Sequence, residues 1–213
     1  MNTYLLKVQS YAWVIDAGGT PEPLLHVLAQ EGLSLQGILL THAHIDHVEG
    51  LLTLHQAYPK VPIWLHTQER CWWDTMAFQA SYFHYPVVPE LPETAHVTWL
   101  HHDALHPDLT LTFELAPQSA TLSFQVLPCP GHTPGGVSFY CPELKLVFTG
   151  DTLFKGGVGR WDFPYGDPHA LEHSIRTALL TLPLETQVFS GHGLPTTIAS
   201  ERMTPDRYFS ASC

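Results

Sequence analysis

In the stretch Gly37-Ile38-Leu39-Leu40-Thr41-His42-Ala43-His44-Ile45-Asp46-His47, an apolar run passes without a break into a cluster of potential metal donors. A short continuous apolar run bounded by turn signals reads as a strand buried on both faces of a layered α/β fold. With 15 histidines in 213 residues, the pattern His-x-His-x-Asp-His is expected by chance on the order of 0.003 times per chain, so accident is set aside. Spacing by two at a strand end points His42 and His44 to one side. The turn into the next helix brings Asp46 and His47 round to a second point, a geometry suited to two metals. Imidazole and carboxylate ligands suit zinc, iron or manganese, and each ion needs further ligands from elsewhere in the chain.

Working outward, Tyr4 to Val8 and Tyr11 to Asp16 read as short strands ending in the turn Ala17-Gly18-Gly19-Thr20. A helix follows, with Pro21 and Pro23 in its first turn and Gly32 closing it. Val48 to Tyr58 resumes a helical pattern, and Val61 to Leu65 is a strand. The aromatic-rich segment from Thr67 to Pro92 reads as a helix and loop; its rings between Trp72 and Tyr85 are more often core than substrate platform. Further strands are expected near Val97–Leu100, Leu109–Leu115, Thr121–Leu127, Gly136–Tyr140 and Leu144–Thr149, then helices over Pro168–Leu182 and Thr196–Arg202. No linker, charge block or repeat breaks the chain, so a single domain over residues 1–213 is expected.

Additional ligands must come from loops after strand-like runs. Three are flanked by glycine, which allows close backbone approach or positive φ: Gly131-His132-Thr133-Pro134-Gly135, Thr149-Gly150-Asp151-Thr152 and Ser190-Gly191-His192-Gly193.

Composition narrows the function. The chain is 45% hydrophobic, enough for a buried core, and 20 acidic against 9 basic residues leave a net charge of -11, which repels phosphate backbones and argues against a nucleic-acid partner. No apolar run reaches the roughly 18 residues of a membrane span, and the first residues do not resemble a secretion signal. Cys71, Cys129, Cys141 and Cys213 form no Cys-x-x-Cys pair, which fits a reducing cytoplasm. Cys129 reads as a buried, inert thiol. A serine hydrolase would need Gly-x-Ser-x-Gly, and that pentapeptide is absent. His55, His66, His84, His101 and His102 are assigned no role.

The ordered set His-x-His-x-Asp-His, Gly-His-Thr-Pro-Gly, Gly-Asp-Thr-Leu-Phe and Gly-His-Gly resembles the metallo-β-lactamase superfamily, and within it the glyoxalase II-like hydroxyacylglutathione hydrolases of the short bacterial type. The likeness runs from Asp16-Ala17-Gly18 to Gly191-His192-Gly193. It implies an αββα sandwich carrying a dinuclear site, with His42, His44 and His132 on one metal, Asp46, His47 and His192 on the other, and Asp151 bridging. It implies two divalent ions, zinc first with iron or manganese as alternatives. The implied reaction is attack by a metal-bridging hydroxide, oriented by Asp46, on a small thioester such as S-lactoylglutathione. Arg160 sits where glyoxalase II relatives carry a basic residue that holds a glutathione carboxylate, although Asp162 offers it a structural ion pair equally well. Phe154 stands where lactonases of the superfamily usually offer a tyrosine. The C-terminal helical substrate extension of longer relatives has no counterpart among these 213 residues.

Two rival readings remain. Persulfide dioxygenases of the superfamily share Gly-His-Thr-Pro-Gly and a loop like Gly159 to Asp162, but use one iron on the equivalents of His42, His132 and Asp151. Lactonase or other small-ester hydrolysis comes third.

Overall fold

The computed structural model describes residues 1–102, 109–115 and 120–209; Cys213 lies outside them. The chain divides into two compact units, Met1–Leu100 and His101–Cys213.

The first unit is built on a five-stranded mixed sheet. Its strands are β1 (Tyr4–Val8), β2 (Tyr11–Ile15), β3 (Ser34–Leu39), β4 (Ile63–His66) and β5 (Val97–Leu100), in that spatial order. β1 and β2 form an antiparallel hairpin, and the remaining pairs are parallel. Parallel neighbours need helical crossovers, supplied by α1 (Glu22–Gln30), α2 (Ile45–Val48), α3 (Leu51–Ala57), α4 (Arg70–Trp73) and α5 (Met76–Tyr82). Trp13, Val14, Ile38, Leu39 and Leu40 are fully buried, so β2 and the end of β3 that leads into the donor loop are apolar, as two-sided burial requires. The helical pattern read over Val48–Tyr58 begins earlier and breaks at Gly50, whose amide donates to the Ala17 carbonyl at 2.8 Å.

The second unit carries a six-stranded mixed sheet, built from β6 (Thr110–Leu115), β7 (Ala120–Pro128), β8 (Val137–Cys141), β9 (Leu146–Gly150), β12 (Gln187–Ser190) and β13 (Thr196–Thr197). The small hairpin β10 (Leu153–Phe154) and β11 (Gly157–Val158) stands apart. Spatial order is β13-β12-β9-β8-β7-β6, with β9 and β12 parallel and the other neighbours antiparallel. The expected helix over Pro168–Leu182 is α6 (Pro168–Ser174), which widens into a π turn at Ile175–Leu179. Asp167 caps it by accepting from the amides of His169 and Ala170. Leu171, Ile175 and Leu179 bury one face against Tyr140, Val147 and Val188. Removing such a side chain typically costs about 2–5 kcal/mol. Thr196–Arg202 opens as strand β13 before α7 (Ile198–Glu201), and α8 (Thr204–Tyr208) follows.

Both units are mixed α/β, in agreement with the fold class expected. Among the described residues, no helix is long and apolar enough to cross a membrane.

Candidate metal centre

In the first unit the donor cluster sits where β3 ends and α2 begins. Asp16, at the end of β2, organises it. Its buried carboxylate accepts the Thr41 amide at 2.7 Å, the Thr41 hydroxyl at 2.8 Å and His47 Nδ1 at 2.8 Å. Because the single hydroxyl proton of Thr41 goes to a carboxylate, Thr41 Oγ1 is left to accept from His42 Nδ1, 3.0 Å away. One carboxylate thus fixes the tautomer of two histidines, leaving Nε2 of each as the lone-pair donor that a metal requires. His47 Nε2 faces Asp46 Oδ2 at 3.7 Å. The ring centroids of His42 lie 4.8 Å from His44 and 4.0 Å from His47.

The backbone around these side chains is clamped by groups far away in sequence. Buried Glu69 accepts the Ala43 amide at 2.8 Å. Buried Gln79 accepts from the Ile45 amide at 2.9 Å and donates to the Ala43 carbonyl at 2.9 Å. The Ala17 amide donates to the His47 carbonyl at 2.8 Å. A Cβ on Gly18 would sit 1.9 Å from the Asp46 carbonyl oxygen, so the turn after Asp16 admits only glycine against the donor loop.

The second unit gathers the other three expected ligands. His132 lies on the β7–β8 loop, Asp151 follows β9, and His192 follows β12. His132 Nδ1 is 2.8 Å from the Arg160 carbonyl. A carbonyl only accepts, so Nδ1 carries the proton and Nε2 is the donor side. That Nε2 lies 3.6 Å from Asp151 Oδ2, and His192 Nε2 lies 3.4 Å from the same oxygen. Two imidazole nitrogens therefore converge on one carboxylate oxygen. Gly159 passes so close beneath that an added Cβ would stand 1.8 Å from the Asp151 carbonyl oxygen.

The residues expected to touch substrate are in the second unit as well. Phe154 stands edge-on to His192, with ring centroids 6.3 Å apart. The Arg160 guanidinium pairs with Asp162 at 2.9 Å, both side chains two-thirds exposed, and lies 5.6 Å from the Phe163 ring centre. An ion pair that exposed contributes about 0–1 kcal/mol and yields easily to a ligand. Val158, Gly159, Arg160, Trp161, Asp162 and Tyr208 line an adjoining cavity of about 330 Å³.

The seven residues expected as ligands all lie in these two clusters, but sequence reasoning missed Asp16, Glu69 and Gln79 as their supports. Asp16 had a signal, a polar residue closing an apolar strand. Glu69 and Gln79 had none, since they sit in a segment without clear periodicity. Cys129 is buried as expected, and burial pushes its thiol up to about 12.

The donor set fits divalent metal: each unit contributes imidazole nitrogens of defined tautomer beside a carboxylate, the combination that zinc, iron and manganese share. The family model described as Metallo-beta-lactamase superfamily matches residues 2–192. The chain belongs to this superfamily and is a metallo-hydrolase with a metal site. It is 37% identical to hydroxyacylglutathione hydrolase GloC of Haemophilus influenzae, over 90% of this chain and 84% of that protein. The crystal structure of TTHA1623 in a di-iron-bound form is 39% identical, with a TM-score of 0.76 over 95% of this chain and 92% of that one. The crystal structure of BLEG-1 B3 metallo-beta-lactamase is 32% identical, with a TM-score of 0.82 over 99% and 94%. These likenesses bear out the metallo-β-lactamase fold expected from sequence.

Proposed function

We propose that the two donor clusters belong to one domain and act together as a dinuclear centre that hydrolyses a small thioester of the hydroxyacylglutathione kind. His42, His44 and His132 would hold one ion, Asp46, His47 and His192 the other, and Asp151 would bridge. The convergence of His132 and His192 on Asp151 Oδ2 carries this reading, because a carboxylate met by a histidine from each proposed set is what a bridging ligand requires. That the family model runs through both units supports the single domain.

Divalent ions at such a site lower the pKa of water to near neutrality and polarise a carbonyl. The chain's own residues do the rest. Asp16 keeps His47 and, through Thr41, His42 in the tautomers that present Nε2. Asp46, whose side chain is 25% exposed, would be both ligand and acceptor for the proton of the attacking water. A thiolate leaves without a strong general acid, so none has to be found. Arg160, released from Asp162, would hold a carboxylate of the thiol, and Phe154 would wall the entrance beside His192. Zinc is the expected metal, with iron or manganese as substitutes. The reduced thiols Cys71, Cys129 and Cys141 accord with a cytoplasmic enzyme.

The test is a set of three assays on the metal-loaded protein: S-lactoylglutathione hydrolysis, oxygen uptake with glutathione persulfide, and opening of a β-lactam. Thioester hydrolysis without oxygen uptake is expected. Oxygen uptake with a single iron would replace this reading by a dioxygenase, and β-lactam opening alone would replace it by a lactamase.

A further inference from the structure

Helix α5 carries its apolar residues on two faces. Met76, Gln79 and Ala80 are buried at helical spacing. Phe78 and Tyr82, themselves four residues apart, are 48% and 42% exposed. Their rings stack with centroids 5.6 Å apart. Fully burying a large apolar side chain is worth about 1.5–3 kcal/mol, and this pair forgoes much of that.

The exposed pair is not isolated. Tyr82 meets Phe83 edge to face at 5.1 Å, and Phe83 meets the ring of His44 edge to face at 5.5 Å. Buried Trp72 also packs on His44, edge to face at 4.6 Å. A ladder of three aromatic rings therefore runs from solvent to a metal-donor histidine, within the first unit. Its electrostatics select what it can bind. Arg70 is the only lysine or arginine between Thr67 and Pro92, and its guanidinium lies over the Trp99 ring, 4.7 Å from the centre. Such a surface welcomes an uncharged apolar group.

We infer that Phe78, Tyr82 and Phe83 form the acyl-recognition wall of this site, and that the preferred substrate carries an aromatic or bulky apolar acyl group rather than a lactoyl group. The inference rests on the thioester reading above and adds the side of the substrate that it leaves open. The wall takes the uncharged acyl end, while the anionic thiol end requires the cation at Arg160.

The experiment compares S-mandeloylglutathione with S-lactoylglutathione on the metal-loaded full chain. The wild type is expected to favour the mandeloyl substrate in kcat/KM by about fivefold or more, the scale of one aromatic contact. The double variant F78A/Y82A, with unchanged circular dichroism, should bring that ratio close to one, and Tyr82→Phe, which keeps the ring, should preserve it. A wild-type ratio of one or less, or a ratio that survives F78A/Y82A, overturns the wall. Calorimetric binding of the uncharged amides mandelamide and lactamide to the same proteins separates the two layers. Should neither thioester turn over, the thioester reading falls; mandelamide that binds more tightly than lactamide to the wild type, but not to F78A/Y82A, still upholds the wall. Equal binding of the two amides overturns it.

Discussion

Asp16 Oδ2 accepts from His47 Nδ1 at 2.8 Å and from the Thr41 hydroxyl at 2.8 Å, so one buried oxygen orients two of the donor histidines. Partners of this kind are worth about 10–100-fold in metal affinity. Asp16→Asn retains the volume but removes the charge and puts an amide where a double acceptor is needed. Affinity for zinc, measured by competition with a chromophoric chelator, should fall by that factor. An unchanged affinity would show that His42 and His47 are oriented by something else.

Gln79 is a structural counterpart of Asp16, holding the backbone of the donor loop rather than its side chains. Gln79→Leu leaves the Ile45 amide and the Ala43 carbonyl without this buried partner, at about 1–3 kcal/mol for each group left unsatisfied. The urea midpoint should drop accordingly.

Gly159→Ala would drive a Cβ to within 1.8 Å of the Asp151 carbonyl oxygen. Relief requires a backbone shift beneath a proposed ligand. A loss of about 1–3 kcal/mol is expected, as for other overpacking changes, together with weaker metal binding. Thermal melting in chelator and in zinc distinguishes the two effects: the chelated proteins differ by the packing cost alone, and zinc widens the gap.

Burial raises the thiols of Cys129 and Cys141 to about 12, and burial followed by the Glu69 charge raises Cys71 to about 11. At pH 8 their thiolate fractions are minute. Peptide mass mapping after iodoacetamide treatment should find Cys129 and Cys141 unmodified in the native protein and modified in urea. The sign for stability follows: these groups keep their protons in the folded state at pH values where the unfolded chain has lost them. Their stabilising contribution is whole below about pH 9 and is lost as pH rises through 11 and 12, so alkaline melting curves should decline over that window.

Much of the fold was legible because apolar runs bounded by glycine and proline follow the local backbone. Tyr4–Val8 and Val97–Leu100 have the bounds that sequence assigned them. Where tertiary contacts decide, the sequence was silent or misleading. Gly50 splits one helical pattern because its amide is needed by Ala17, and Thr196–Thr197 becomes a strand because Val188 and Gln187 offer an edge. The hairpin β10–β11 is too short to leave any periodic signal. For the site, candidate donors stand out by residue type and spacing. Their supports do not: a glutamate at 69 and a glutamine at 79 look like surface residues until the chain buries them beneath Ala43 and Ile45. Phe78 and Tyr82 show the opposite case, being aromatics in a segment that sequence weighed toward the core and whose rings are about half exposed.

Counting metal per chain tests the dinuclear account most directly. Protein reconstituted with zinc, dialysed against metal-free buffer and analysed by inductively coupled plasma mass spectrometry should hold two ions per chain. Asp151→Ala should hold one or none and lose turnover. A wild type that saturates at a single ion, or an Asp151→Ala variant that retains both, would contradict the assignment of Asp151 as the bridge.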